Sequence, residues 1–188
     1  MAPAKPHERI VEEAMRLFEQ EGIATVPVAR IVEEAGVAPM TVYRRFGSKD
    51  ELVAAALERW SARWLSWLET GIDRFDDPEA RFAALWDTLA EWFATESYRG
   101  SFVANAAVEL RSQPRHPAHQ VLATHRTALH QLLENLAKHA GAHDPADLAT
   151  QLQVLIEGAA ALSLVDSRLA VTHAARGLAE AALSAACA

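Results

Sequence analysis

Apolar residues recur along most of this chain at spacings of three and four, and strict alternation never persists, so the pattern predicts helices. A first helix is expected over about 8–21, with Ile10, Ala14, Leu17 and Phe18 facing inward and Gly22 stopping it. Two short helices follow between residues 27 and 46, broken at Ala35-Gly36-Val37, with Pro27 at the first position of the earlier one. A long fourth helix is expected from Lys49 to about Thr70, ended by Gly71. Asp77-Pro78 and Asp144-Pro145 each read as an N-cap followed by a first-turn proline. They open a fifth helix to about Thr95 and an eighth to about Ser167, with a sixth over about Ser101–Arg111 and a seventh over about Ala118–Ala140. A ninth covers about Val171–Ala186. The expected class is all-α, about nine helices, with a small three-helix head and a larger helical body.

The break at Gly36 is the most telling local feature. Ile31, Ala35, Val37, Val42 and Phe46 fall where two short helices would bury one seam, and glycine tolerates the positive φ of so tight a reversal. This is the layout of a helix-turn-helix. Its second helix then turns Pro39, Met40, Thr41, Tyr43, Arg44 and Arg45 to solvent, a set suited to phosphates and base edges in a major groove. Lys49 joins that surface from the start of the fourth helix, behind a Ser48-to-Glu51 capping box.

Charge needs locating before it supports this reading, because the chain carries a net −7. Residues 1–60 hold eight Lys/Arg against ten Asp/Glu, so no broad basic field exists. Within 39–49, however, Arg44, Arg45 and Lys49 stand without an acid. A basic reading head on an acidic body limits sequence-independent binding.

The body carries two further patterns. Trp60, Trp64 and Trp67 share one face of the fourth helix, Phe82, Trp86, Leu89 and Phe93 one face of the fifth, and Phe102, Asn105 and Glu109 one face of the sixth. Such stripes suit either an aromatic core or the wall of a small-molecule pocket. Near the C-terminus Leu148, Leu152, Leu155, Ile156, Ala159 and Leu162, then Ala174, Leu178, Ala181 and Ala182, allow close helix approach, either as internal core or across a two-fold axis.

Other chemistries find no support. His119, His125 and His130 are spaced by six and five, and the remaining close pairs straddle Pro117 or Gly141, so no metal site is expected and the histidines read as exposed or pH-responsive. No phosphate loop, nucleophile elbow or HExxH motif occurs, and Glu12-Glu13 and Glu33-Glu34 point in different directions, so no catalytic residue and no cofactor are expected. Cys187 has no partner for a disulfide. Half the residues are apolar (51%), yet no charge-free run approaches the ~20 residues of a membrane span, and MAPAKPHE has no hydrophobic leader core, so a cytoplasmic location is expected.

The run RIVEEAMRLFEQEGI followed by ARIVEEAGVAPMTVYRRFGSKDELVAAAL resembles the TetR-type transcriptional repressors over about residues 8–58. The rest matches only in helical layout. The match has three departures: Val32 for a small residue, Val26-Pro27 for a hydroxyl residue, and Ala29 where some members place a base-contacting Arg; Ala38 is also a weak N-cap. The resemblance implies a DNA-binding head over 1–48 and an effector-binding and dimerisation body over 49–188. It implies a homodimer through helices 8 and 9 on a pseudo-palindromic double-stranded operator. It also implies release by a small apolar or aromatic effector among Trp64, Trp67, Trp86 and Phe102, oriented by Asn105 or Glu109. The alternative is a helix-turn-helix protein without an effector, whose body dimerises or binds a protein.

Overall fold

The structure, a computed structural model, describes residues 6–188, apart from the side chain of Pro39. Residues 1–5 of the segment read for a leader lie outside the described residues. The described residues form nine helices and no strand: α1 (Pro6–Glu21), α2 (Val28–Glu34), α3 (Pro39–Phe46), α4 (Lys49–Ile72), α5 (Pro78–Ala94), α6 (Phe102–Leu110), α7 (Ala118–His139), α8 (Pro145–Leu162) and α9 (Arg168–Cys187). They pack as two compact units. One takes in the chain up to Arg63 together with Phe102–His125; the other takes in Trp64–Ser101 and Arg126–Ala188. Packing thus divides the chain within α4 and α7.

In the first unit, α1 buries Ile10, Val11, Ala14, Leu17 and Phe18, one stripe of a 3.6-residue period. The α2–α3 reversal is a Schellman turn. Gly36 sits at φ 60°, its N–H bonds Glu33 O at 3.1 Å, and Val37 N–H bonds Val32 O at 3.2 Å. Ile31, Ala35 and Val42 are buried in the shared seam, with Val37 and Phe46 half-buried at its edge. Pro27 proves to be the N-cap of α2 rather than its first residue, in extended conformation (ψ 148°). Ser48 Oγ accepts the Glu51 N–H at 3.1 Å, as the expected cap requires. α6 and the first turns of α7 complete this unit, with Phe102, Val103, Ala106, Leu110 and Ala118 buried.

The second unit is built on α5, α8 and α9, with the ends of α4 and α7. α8 lies chiefly along α9, and α9 also packs on α5. Asp77 and Asp144 cap as expected, accepting the N–H of Ala80 at 2.9 Å and of Asp147 at 3.1 Å. Three boundaries differ from the sequence reading. α4 runs through Gly71 to Ile72, because Gly71 is buried against Thr88 of α5 and has helical φ. α8 ends at Leu162, where Ser163, Leu164, Val165 and Asp166 fold into a turn on the carbonyls of residues 159–162. α9 starts at Arg168, capped by Ser167, whose hydroxyl accepts Ala170 N–H at 3.4 Å. No helix among the described residues is long and apolar enough to cross a membrane.

Candidate nucleic-acid interface

α3 is short, so its pose depends on what holds its ends. Ala38 supplies no side-chain cap, and Thr41 N–H bonds Ala38 O at 2.8 Å instead. The far end closes on Gly47 at φ 77°, whose N–H bonds Tyr43 O at 2.9 Å. Phe46 faces the unit, stacked on His7 of α1 with centroids 4.9 Å apart. The opposite face presents Met40 (73% exposed), Tyr43 (52%), Arg44 and Arg45, with Thr41 half-buried beside them. Pro39 opens the helix, but its side chain lies outside the described residues. This face therefore offers apolar, phenolic and cationic groups side by side.

The surrounding charges sharpen this contrast. Arg16 pairs with Glu13 and Glu34, Arg30 with Glu21 and Glu34, and Arg59 and Arg63 both with Glu12. Their charge is answered inside the protein. Arg44 and Arg45, like Arg9, have no carboxylate partner among the described residues, and at the C-terminal turn of α3 their charge also suits the helix dipole. The net −7 is thereby reconciled with a basic face: Arg16, Arg30, Arg59 and Arg63 are answered by carboxylates and the two arginines on α3 are not.

Lys49 is engaged differently from a free phosphate contact. Its ammonium donates to Ile23 O at 2.6 Å and lies 5.7 Å from the centre of the Phe18 ring. Burial lowers its pKa, opposed by the nearby carboxylates of Glu109 and Asp50. One of its three N–H groups is therefore spent on the turn between α1 and α2.

The residues read as effector contacts divide between the two units. Trp64, Trp67 and Trp86 belong to the second unit, Phe102, Asn105 and Glu109 to the first. Trp64 is buried with its ring 6.5 Å from Trp67 and 5.2 Å from Trp92, which in turn meets Tyr98 at 5.2 Å. Trp86 is wholly buried, and its Nε1–H finds no acceptor among the described residues. Phe102 is buried edge-on to Trp60 at 6.0 Å, and Asn105 is exposed. Glu109 caps backbone amides: Oε1 accepts Ile23 N–H at 3.2 Å and Oε2 accepts Ala24 N–H at 2.9 Å. The sequence reading missed Trp92 and Tyr98. Trp92 adjoins Phe93 on α5 and so falls outside the one-face stripe, while Tyr98 lies beyond the helix.

Two clefts open in the second unit. One of about 360 Å³ runs along α8 and α9, lined by Val154, Leu155, Gly158, Ala159, Leu162, Ala174 and Leu178. A larger one of about 810 Å³ lies at the start of α5 and the end of α9, among Asp77, Phe82, Ala140, Glu180, Leu183 and Cys187. None of the six residues read as effector contacts lines either cleft.

Two histidines correct the expectation of exposure. His125 is buried in the first unit with Nδ1 2.8 Å from Ser61 Oγ, and burial pushes its pKa down to about 4. His116 Nδ1 accepts Ala118 N–H at 3.1 Å, so the ring proton sits on Nε2, 3.5 Å from Asp50 Oδ1. Among the described residues no group of His, Cys, Asp and Glu converges as a metal site.

Residues 10–56, spanning α1 to most of the first half of α4, match the family described as bacterial regulatory proteins, tetR family. Over this stretch the chain is similar to that family's DNA-binding head. It is 28% identical over 175 residues to the HTH-type transcriptional regulator YjdC of Escherichia coli (strain K12), covering 92% of this chain and 91% of that protein. It is 34% identical over 85 residues to the HTH-type transcriptional regulator BetI of Brucella anthropi, covering 45% of this chain and 43% of the other. The fold matches that of a TetR-family transcriptional regulator from Streptomyces coelicolor at TM-score 0.88 and 24% identity, over 97% of this chain and 96% of that one. A TetR-type regulator from Streptomyces avermitilis matches at 0.83 and 27% identity, over 97% and 98%. The protein is thus a DNA-binding helix-turn-helix regulator of transcription and not an enzyme.

Proposed function

We propose that this TetR-family regulator is a repressor that binds a pseudo-palindromic operator as a homodimer and is released by a small, largely apolar or aromatic effector. The observation that carries the DNA-reading part is the unanswered charge of Arg44 and Arg45 beside exposed Met40 and Tyr43. α3 would enter the major groove, with Arg44 at a base edge, Tyr43 and Arg45 on phosphates, and Met40 and Thr41 on apolar base surface. Pro39 at the start of α3 would lie close to the backbone, and Lys49 adds to the phosphate contacts only with the N–H groups it does not give to Ile23. Head and body would divide functionally at residues 48/49.

The homodimer reading rests on the outer face of α8 and α9, where Val154 is 67% and Leu178 61% exposed around an apolar cleft. Two copies related by a two-fold axis would cover it and set the two α3 helices on half-sites about 34–36 Å apart. The effector reading rests on the Trp64, Trp67 and Trp92 rings and on the buried Trp86 N–H, a donor that a ligand acceptor would satisfy. Phe102 and Asn105 enter this reading only through the family resemblance. A regulator of this kind would act in the cytoplasm.

Selection of 30-base-pair duplexes from a random pool tests the reading. The wild-type protein should enrich a two-fold-related pair of half-sites. Arg44→Ala should bind the enriched duplex about 1–3 kcal/mol more weakly and lose discrimination at one base pair in each half-site. Failure to enrich any sequence, or an Arg44→Ala variant with unchanged discrimination, would remove this assignment.

A further inference from the structure

The turn between α1 and α2 is held from both sides of its backbone by side chains that come from elsewhere in the first unit. Gly22 adopts φ 88°, which turns the N–H groups of Ile23 and Ala24 in one direction and makes a small anion-binding concavity. The Glu109 carboxylate of α6 fills it with one oxygen on each N–H, at 3.2 and 2.9 Å. A Cβ at Gly22 would stand 3.3 Å from Glu109 Oε1, so glycine there admits the close approach as well as the φ. On the other side of the same peptide, Ile23 O accepts the Lys49 ammonium at 2.6 Å. Anion, peptide and cation line up, and each polarises the next. Residues 23–26 lead directly into α2, and α2 packs on α3 through the Gly36 reversal.

We propose that Glu109 is a positioning residue for DNA reading: by seating its carboxylate on Ile23 and Ala24 it ties α6 to the turn that sets the pose of α2 and α3. The inference rests on the operator-binding reading above and adds a route to the head that runs through α6 rather than through α4 alone. Glu109 touches no DNA. It acts through the turn, so any displacement of α6 by two or three ångströms breaks both hydrogen bonds, which extend only to about 3.2 Å. It also leaves Lys49 bonded to Ile23 without its counter-charge.

Full-length Glu109→Ala and Glu109→Gln test this by two measurements made side by side. The first is amide hydrogen exchange by NMR at Ile23 and Ala24, with Leu17 and Phe18 as internal controls in the core of α1. The second is affinity for the duplex that the wild-type protein enriches from a random pool, measured across salt concentrations. Glu109→Ala should expose Ile23 and Ala24 to exchange while Leu17 and Phe18 stay protected. Its affinity for the duplex should fall about 5- to 150-fold, the range of ordinary coupling between sites. The salt slope should not change, because no phosphate contact is lost. Glu109→Gln keeps one acceptor and the shape, so it should fall between the two. If Glu109→Ala unprotects Leu17 and Phe18 as well, the glutamine variant supplies the comparison.

Wild-type affinity in a variant whose Ile23 and Ala24 amides exchange freely overturns the proposal. So do amides that stay protected without the carboxylate, and so does a salt slope reduced by about one unit, which would make Glu109 part of the phosphate surface. A wild-type protein that enriches no duplex defeats the operator reading instead, and the exchange measurement then decides alone whether the clamp exists.

Discussion

Replacing Gly71 by Ala should destabilise the second unit although it raises helix propensity. Gly71 lies inside α4 with ordinary helical φ, where alanine is favoured over glycine by roughly 1 kcal/mol. Against this, the new Cβ would fall well inside contact distance of Thr88 Oγ1, 2.7 Å from Thr88 Cγ2 and 3.1 Å from its Cβ. Thr88 is 3% exposed and β-branched, so it has neither space nor a spare rotamer to yield into. Overpacking of this kind costs about 3 kcal/mol at the upper end of its usual range, leaving a net loss of about 2 kcal/mol. For a chain of this size that is a fall in Tm of about 4–8 °C. Circular-dichroism melts of Gly71→Ala, Thr88→Ala and the double variant form the assay. Thr88→Ala removes the two nearest atoms, so the double variant should be more stable than the sum of the singles by about 1–3 kcal/mol. A Gly71→Ala protein that melts at or above the wild-type temperature, with no coupling to Thr88, would refute the close crossing of α4 and α5.

Three further outcomes are expected. His125 should make stability fall as pH drops: its folded pKa of about 4 lies below the ordinary value near 6.5, so the stability is fully present above about 6.5 and is lost between there and about 4. The shift corresponds to about 3 kcal/mol, and denaturant titrations across that window should show a flatter profile for His125→Asn; parallel profiles would mean that His125 is not buried and neutral. Glu19 and Glu157, both held above the usual carboxylate range by burial, act in the opposite sense and are common to both proteins. Leu155→Glu, in the cleft between α8 and α9, should convert a dimer to a monomer in sedimentation, since two unpaired carboxylates near the axis cost several kcal/mol; a wild-type monomer at micromolar concentration would refute the interface. Lys49→Ala should weaken the enriched duplex and reduce the salt slope by about one unit, because only one of its three N–H groups serves Ile23 O and the others reach phosphate; an unchanged slope would take Lys49 out of the phosphate surface.

The sequence by itself determined the helices, the reversal at Gly36 and the exposed face of α3. Each depends on neighbours within a few residues: apolar spacing in α1, aspartate-proline caps before α5 and α8, glycine where φ must be positive. Tertiary structure decided whatever depends on partners far along the chain. Gly71 reads as a helix stop because glycine usually is one, yet α4 continues through it because Thr88, seventeen residues on, needs the space of the missing Cβ. Glu109 reads as a polar group beside Phe102 on one helix face, but its charge is claimed by two amides at the far end of α1. Lys49 reads as a free cation and is bonded to a carbonyl twenty-six residues earlier. His125 reads as exposed or pH-responsive, and its place against Ser61 in the core decides for the second. Periodicity reports which side of a helix is apolar. It carries no record of which polar groups meet across the fold, since a hydrogen bond is set by approach in space and not by spacing along the chain.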